Sequence, residues 1–151
     1  SHDKHQIKHH AASEPGPVAP INEVRRTIEY AMTKMARSKI LIGVPFYGYD
    51  WPLPYRPEIG GKALSTQAAT LLAMNNQVPI SYSKETESAF FYYYDAAGQR
   101  HVVWFDDSRS MAEKMKLLKE YGIGGIGAWQ LTLGMPQGPW ILRKFYHVKK
   151  V

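Results

Sequence analysis

The sequence predicts an α/β fold that carries a smaller α+β insertion. A helix-like segment, residues 21–37, precedes a continuous apolar run, residues 40–45, and the same order recurs in residues 110–122 and 124–129. Helices that alternate with short apolar strands are typical of a parallel sheet that is covered on both faces. Two such strands cannot close a sheet, so we expect the chain to be part of a larger unit.

The first helix is indicated by the spacing of its apolar residues. Residues 21–37 place apolar side chains on one face and Arg and Lys on the other, as in an amphipathic helix. Residues 40–45 then form a strand that is preceded by charge and followed by glycine. The predicted buried face of the helix consists of Ile21, Val24, Ile28, Ala31, Met32 and Met35.

The insertion begins where this alternation of helix and strand is interrupted. Residues 51–64 contain three prolines and a Gly-Gly pair, which predicts a loop. Ser65 can cap a short helix that runs through Met74. Three strand-like runs follow, of which the last two form a hairpin around the turn at residues 96–98. These strands are expected at residues 79–83, 90–95 and 100–105.

The second predicted helix of the α/β pattern, residues 110–122, has clear signals at both ends. Residues 110–113 fit a capping box, and Gly122 suits the C-terminal end. Residues 124–129 then read as a second buried strand, and residues 140–145 as a final short helix. The apolar face of the helix at residues 110–122 is expected to contain Met111, Met115, Leu118 and Tyr121.

The composition excludes several classes of function. The chain has no cysteine, which excludes disulfides, thiolate metal sites and cysteine nucleophiles. Its formal charge is +6, but the basic residues are dispersed, and no apolar run approaches the ~20 residues of a membrane span. We therefore expect neither nucleic acid nor a membrane as partner, and no cofactor. A metal site at His5, His9 and His10 is weighed against a flexible segment, which is favoured.

Aromatic residues follow both predicted strands. The first strand leads into Phe46, Tyr47, Tyr49 and Trp51, and the second ends at Trp129. Ligand sites of α/β proteins collect beyond the C-terminal ends of the strands, and aromatic faces there suit sugar rings.

For some of these aromatics a packing role is an equally good interpretation. We favour packing for Phe46 and a sugar platform for Trp129, because the glycines before Trp129 allow close backbone packing. For Tyr47, Tyr49 and Trp51, packing and sugar contact are equally good interpretations. The same holds for Trp104, which could belong to the core of the insertion or to a groove wall.

The carboxylates offer no clear catalytic pair. Asp106 and Asp107 are adjacent, but they precede the capping box, where acidic residues favour the helix N-terminus. We therefore favour a capping role, with Asp3 and Asp50 as other candidates. No Ser-His-Asp arrangement, phosphate loop or cluster of metal ligands is evident.

Three stretches together resemble glycoside hydrolase family 18, and within it the spore cortex-lytic and sporulation-specific glycosylases. They are SEPGPVAP, KILIGVPFYGYDWPLPY and HVVWFDDSRSMAEKMKLLKEYGIGGIGAWQLTLGMPQGPW. The resemblance implies the C-terminal portion of a (β/α)8 TIM barrel, with strands seven and eight at residues 40–45 and 124–129. It also implies barrel segments at residues 1–51 and 107–151, separated by an α+β insertion at residues 52–106.

The resemblance further implies a substrate and a set of binding residues. The substrate would be an N-acetylglucosamine-containing β-1,4 glycan of spore peptidoglycan, in the spore cortex or coat or in the cell wall. Trp129 would form the floor of the central sugar subsite, and Tyr47 and Tyr49 would lie near the groove, beside Trp51. Asp3 matches the acid that follows a Met-x-Tyr motif on the sixth strand. In this family the substrate's own N-acetyl group attacks the anomeric carbon.

The chain departs from the family pattern at the catalytic residues. The general acid is the Glu of D-x-x-D-x-D-x-E on the fourth strand, and this motif does not occur in the sequence. His2 stands where the sixth-strand tyrosine is expected, and residues 6–9 read as an insertion. We therefore expect no catalytic residue in this chain and no activity from it alone, with the N-terminal half of the barrel as a partner. The alternatives are a carbohydrate-binding module and a gene remnant or structural spore-coat component.

Overall fold

The computed structural model describes residues 14–43, 47–123 and 140–143, with side chains of residues 14–40 and 47–123. A short 3-10 helix, Arg37–Lys39, precedes the first strand. Within the described residues, no helix has both the length and the apolar character needed to cross a membrane. The elements are α1 (Ile21–Lys34), β1 (Ile40–Gly43), β2 (Tyr47–Pro52), β3 (Lys62–Ser65), α2 (Thr66–Asn75), β4 (Ser81–Ser83), β5 (Ser88–Tyr94), β6 (Arg100–Phe105), α3 (Ser108–Glu120) and β7 (Trp140–Arg143).

Helices α1 and α3 pack together over the start of β1. The predicted apolar face of α1 is confirmed: Val24, Ile28 and Ala31 are buried, and the other three residues are partly buried. Burial of an Ile or Val side chain stabilises the fold by about 1.5–3 kcal/mol, so this cluster is a main source of stability for the helical layer. The remaining buried members of the cluster are Ala19, Ile40, Leu117, Leu118 and Ile123.

Helix α3 begins earlier than the sequence predicts. Asp107 is its N-cap and accepts hydrogen bonds from the backbone N–H groups of Arg109 and Ser110, at 2.9 and 3.1 Å. Ser110, predicted to be the N-cap, instead closes the capping box by accepting a hydrogen bond from the Asp107 backbone N–H at 3.3 Å. An aspartate is at least as good an N-cap as serine, and its charge favours the helix N-terminus.

The earlier start accompanies a change in the buried face of α3. Met115 is 44% exposed, whereas Ser110, Lys114 and Leu117 are buried beside the correctly predicted Leu118. Periodicity alone cannot show that a lysine lies inward, because lysine is ordinarily a surface residue and its burial here depends on the Asp106 carboxylate before the helix. The predicted helix end is confirmed, since Gly122 follows with a φ of +69°.

The insertion is a five-stranded antiparallel sheet with the order β3-β2-β6-β5-β4. The hairpin of β5 and β6 is confirmed, with Tyr94 opposite Arg100 at its end. The capped helix is also confirmed: the Ser65 hydroxyl accepts a hydrogen bond from the Ala68 N–H at 3.0 Å. Helix α2 covers one face of the sheet with two small residues, Ala69 and Ala73.

Strand β2 was not predicted. The predicted first strand ends at residue 45 and residues 51–64 are predicted to form a loop, but β2 follows at Tyr47–Pro52 and pairs through residues 47–50 with β3, which takes up the last residues of that loop. Tyr47, Tyr49 and Trp51 alternate with Gly48 and Asp50, which is the two-residue period of a strand. The sheet therefore starts inside residues 1–51, the segment predicted to belong to the barrel.

The predicted final helix is wrong in its described part. Trp140–Arg143 is strand β7, which pairs antiparallel with β1, so that Ile40 lies opposite Arg143 and Gly43 opposite Trp140. A short apolar run fits a strand as well as a helix, and aromatic and β-branched residues favour the strand. The predicted second barrel strand, residues 124–129, lies outside the described residues.

The close approach of β2 and β6 at Gly48 gives a direct test of the sheet. A Cβ atom at Gly48 would lie 2.3 Å from the Trp104 carbonyl oxygen and 2.4 Å from the Phe105 Cβ. Gly48→Ala is therefore expected to lower the free energy of unfolding by about 3 kcal/mol, because the two backbones must separate. Urea unfolding followed by tryptophan fluorescence measures the effect.

Gly16→Ala is the matched control. Nothing lies within 4 Å of a Cβ at Gly16, so this variant should unfold within about 0.5 kcal/mol of the parent chain. Equal unfolding midpoints for the two variants would contradict the close packing of β2 against β6.

Candidate functional site

Three of the predicted site residues lie side by side on β2. Tyr47, Tyr49 and Trp51 project from the same face of the sheet, as alternate residues of a strand must. The ring centroids of Tyr47 and Tyr49 are 5.6 Å apart in an edge-to-face arrangement, and those of Tyr49 and Trp51 are 5.5 Å apart. The rings form a continuous aromatic row that starts just beyond the end of β1.

This row is buried. Tyr47, Tyr49 and Trp51 are 5%, 1% and 3% exposed, and they pack with Val18 and Val102. Burial raises the pKa of the Tyr49 phenol. The structure thus places the three rings in a packed cluster, and their contact with a ligand stays a prediction.

A glycine closes this cluster over Trp51. A Cβ atom at Gly61 would lie 2.7 Å from the Trp51 Nε1, so only a residue without a side chain allows this approach. The Gly-Gly pair that predicted a loop therefore also packs against the indole ring.

Aromatic residues that are less deeply buried continue the same face on β5 and β6. The rings of Phe90 and Trp104 stack at 4.5 Å, and Tyr92 meets Phe90 edge-on at 6.3 Å. Tyr92 is 43% exposed, and the Arg100 guanidinium carbon lies 4.3 Å from the centre of its ring. Flat rings with polar edges beside a guanidinium can bind a sugar through stacking and hydrogen bonds.

Phe90 and Tyr92 are not among the binding residues predicted from the sequence. The signal was present in the run SAFFYYY, where alternate aromatics of a strand must share a face. Trp104, for which both core and groove wall are predicted, packs against the buried cluster and stacks on Phe90.

Asp50, a candidate carboxylate, is engaged on the opposite face of the sheet. Its Oδ1 lies 2.7 Å from the His101 Nδ1, and its Oδ2 accepts a hydrogen bond from the Tyr93 hydroxyl. The second imidazole nitrogen of His101 lies 2.8 Å from the Asp95 Oδ2. Burial and the hydrogen bond to Asp50 raise the pKa of Tyr93, so this tyrosine donates rather than ionises.

Asp106 and Asp107 both have structural partners. Asp107 caps α3, as described above, and a capping role is thus confirmed for it. Asp106 is fully buried and its Oδ1 accepts a hydrogen bond from the Lys114 ammonium at 2.6 Å, with the Lys114 side chain completely buried. Burial raises the pKa of Asp106, and Lys114 opposes this shift. Neither carboxylate is free to act as an acid on a ligand.

Two predicted site residues, Asp3 and Trp129, lie outside the described residues, as do the histidines of the first thirteen residues and Phe46. Within residues 14–43, 47–123 and 140–143, no three His, Asp or Glu side chains are grouped to hold a metal ion. The described part of the site is therefore the aromatic face of the sheet.

The buried ion pair yields a testable prediction. Lys114→Met leaves the Asp106 carboxylate buried without its cation, so we expect a loss of about 3–5 kcal/mol in the free energy of unfolding. The double variant Asp106→Leu/Lys114→Met should recover most of that loss, because it removes both charges and keeps apolar volume. Chemical denaturation of the three chains measures both effects.

Lys116→Met is the matched control for this pair. Lys116 lies on the same helix and binds Glu113 at 2.9 Å, but its side chain is 73% exposed. This variant should be almost neutral, since exposed ion pairs contribute little. A loss as large as that of Lys114→Met would show that helix propensity, and not the buried pair, is responsible.

A family model and several known proteins match this chain. The model of the glycosyl hydrolases family 18 matches residues 1–134. The Bacillus subtilis (strain 168) protein named "Putative sporulation-specific glycosylase YdhD" is 56% identical over 95% of this chain and 34% of its own length. The cortical fragment-lytic enzyme of the same organism is 43% identical over 90% of this chain and 32% of its own length.

The structural comparison agrees with the sequence comparison. The crystal structure of the Bacillus cereus spore cortex-lytic enzyme SleL superposes with a TM-score of 0.78 and 38% identity, over 87% of this chain and 32% of SleL. The chain spans about a third of the length of the curated relatives it matches. By the extent of the family match and the level of identity, the chain belongs to glycosyl hydrolase family 18.

Proposed function

We propose that the chain is the C-terminal part of a glycosidase that hydrolyses an N-acetylglucosamine-containing β-1,4 glycan in spore peptidoglycan. The observation that carries the proposal is the 43% identity to an enzyme named for the lysis of cortical fragments, within a family match over residues 1–134. The spore cortex or the cell wall is the corresponding location.

The packing of the helical layer supports a placement within a barrel. Strand β1 would be the seventh strand and residues 124–129 the eighth, with residues 52–106 as the insertion between two barrel segments. Support comes from α1 and α3, which pack side by side in one apolar cluster with Ile40 of β1. Helices that flank successive strands of a (β/α)8 barrel lie in this way.

The proposed substrate site lies at the end of β1. Only three residues separate Gly43 from Tyr47, so the aromatic face of the five-stranded sheet begins close in sequence to the C-terminal end of the proposed barrel strand. Active sites of such barrels are built at that end. Trp129 and Asp3 would contact the sugar.

Tyr47, Tyr49 and Trp51 would support that site by packing beneath the residues that contact the sugar. Because each ring is at least 95% buried, a ligand would meet at most the edge of the row they form. The exposed ring of Tyr92 and the half-buried rings of Phe90 and Trp104 would extend the wall of the groove.

The proposed chemistry needs one group that the chain lacks. The substrate's N-acetyl oxygen would attack the anomeric carbon while a general acid gives its proton to the leaving oxygen, and water would later release the sugar with retained configuration. The acid belongs to a motif that does not occur in the sequence. Asp50 and Asp106 cannot replace it, because His101 and Lys114 bind them.

The test is to assay the chain with and without the missing motif. The chain alone should not release product from N-acetylglucosamine oligomers or from cortex fragments. A chimera in which the N-terminal part of SleL precedes this chain should hydrolyse them, and replacing the Glu of D-x-x-D-x-D-x-E by Gln should abolish that activity. Hydrolysis by the 151-residue chain alone would contradict the proposal.

The chimera also tests the binding residues. Trp129→Ala should lower kcat/KM by about 10²-fold, in the range of misplacing a bound substrate. Met74→Ala is the control, since Met74 is 66% exposed on α2, which covers the opposite face of the sheet, and should leave kcat/KM almost unchanged. Equal effects of the two variants would remove Trp129 from the proposed site.

A carbohydrate-binding module is the second candidate, favoured by the exposed Tyr92 ring beside the stack of Phe90 and Trp104. If the chain binds sugar without cleaving it, its tryptophan fluorescence should respond to N-acetylglucosamine oligomers. Absence of a response at millimolar sugar would exclude this function. Failure of the chain to unfold cooperatively would instead favour a gene remnant over a structural component of the spore coat.

A further inference from the structure

His101 bridges two carboxylates that come from different parts of the sheet. Its Nδ1 lies 2.7 Å from the Asp50 Oδ1 on β2, and its Nε2 lies 2.8 Å from the Asp95 Oδ2 in the turn after β5. The Tyr93 ring stacks on the imidazole with centroids 4.7 Å apart, which fixes the ring plane. The His101 and Asp50 side chains are each 15% exposed, so water only partly competes for these contacts.

The number of protons on the imidazole decides whether both contacts can form. Neutral imidazole has one N–H donor, and its other nitrogen carries a lone pair that would face a carboxylate oxygen. The imidazolium ion has two donors and satisfies both carboxylates. We propose that Asp50, His101 and Asp95 form a proton-dependent latch that fastens the turn between β5 and β6 to the centre of the sheet.

Asp95 connects the latch to the backbone of the turn. Its Oδ1 accepts hydrogen bonds from the backbone N–H groups of Ala97 and Gln99, at 2.9 and 3.0 Å, while its Oδ2 binds His101. Movement of the Asp95 carboxylate therefore changes the geometry of the whole turn. The latch links this turn to β2 through a single ring.

The charges that face His101 all favour the protonated ring. Asp50 comes from β2 and Asp95 from the turn, and the Tyr93 hydroxyl of β5 donates its hydrogen bond to Asp50. The neighbouring cation, Arg100, lies against Tyr92 on the opposite face of the sheet. Burial lowers the pKa of His101, but the hydrogen bonds to Asp95 and Asp50 outweigh it, and the pKa is raised above 6.5.

The direction of the pH effect follows from these shifts. A raised histidine pKa means that the latch contributes its full stability below pH 6.5 and loses it as the pH rises through the folded-state pKa. The hydrogen bond to His101 lowers the pKa of Asp95 below 3.8, so the carboxylate stays charged throughout the neutral range. The latch is therefore closed in weak acid and released in alkali.

Release would act on the accessible aromatic face. Tyr92 and Tyr94 alternate with Tyr93 along β5, and Arg100 precedes His101 on β6, so they lie on the face opposite the latch. A loosened hairpin end would change how these rings are presented to a ligand. The latch itself does not depend on the proposed function.

The test follows His101 by nuclear magnetic resonance in the full chain. The imidazole should titrate above pH 6.5, with both ring nitrogens protonated at pH 6. Asp95→Asn should shift that titration toward lower pH, and Glu113→Gln, which alters an exposed ion pair elsewhere, should leave it unchanged. Titration of His101 at or below pH 6.5 in the parent chain would overturn the proposal.

Hydrogen exchange supplies a readout at the turn. After correction for intrinsic rates, the amides of Ala97 and Gln99 should lose protection between pH 6 and pH 9 in the parent chain. In His101→Gln their protection should be low and independent of pH. Unchanged protection in the parent chain would overturn the latch, and because this measurement needs no variant it stands even if a substitution prevents folding.

Discussion

Asp106 joins the two layers of the molecule. Its backbone N–H donates to the Tyr47 carbonyl of β2 at 3.3 Å, and its carbonyl accepts the Thr66 hydroxyl of α2 at 2.7 Å. Its carboxylate binds Lys114 of α3 at 2.6 Å. One residue after β6 thus contacts a strand, a helix of the insertion and a helix of the neighbouring layer. Because a buried ion pair of this kind is costly to break, the contacts of Asp106 hold β2, α2 and α3 in one arrangement.

The contacts of Asp106 also determine where the aromatic row of β2 lies. Asp106 bonds to Tyr47, the first residue of β2, and the missing side chain of Gly48 then lets β2 approach β6 closely. The alternate residues Tyr47, Tyr49 and Trp51 are carried together into the same buried cluster. The position of the row therefore depends on the backbone pairing of β2. The packing of each ring then stabilises the strand in that position.

Local signals in the sequence were sufficient for part of the fold. The apolar face of α1, the Ser65 cap and the β5–β6 hairpin were predictable, because each depends on residues close together in the chain. Strand β2 was missed, since its aromatics were interpreted as the end of β1. The inward Lys114 could not be predicted, because periodicity treats lysine as a surface residue.

The candidate site, like the fold, could be predicted only in part from the sequence. The sequence identified the β2 aromatics, but their burial depends on contacts with Val18 and Val102, which lie far away in the chain. His101 drew no attention for the same reason, since Asp50 is 51 residues away and meets it only through the register of β2 and β6. Long-range pairing was the missing information in both cases.

Burial and ligand contact make opposing demands on an aromatic ring. A ring that is almost wholly buried already has neighbours on both faces, so stacking on a sugar would require it to give up packing contacts first. The rings of β2 meet this condition, whereas Tyr92 and Tyr94 of β5 keep accessible surface. Buried and exposed aromatic rings thus lie on different strands of one sheet face. Trp104 lies between them, packed on the buried row and stacked on Phe90, so it connects the buried rings of β2 to the exposed rings of β5.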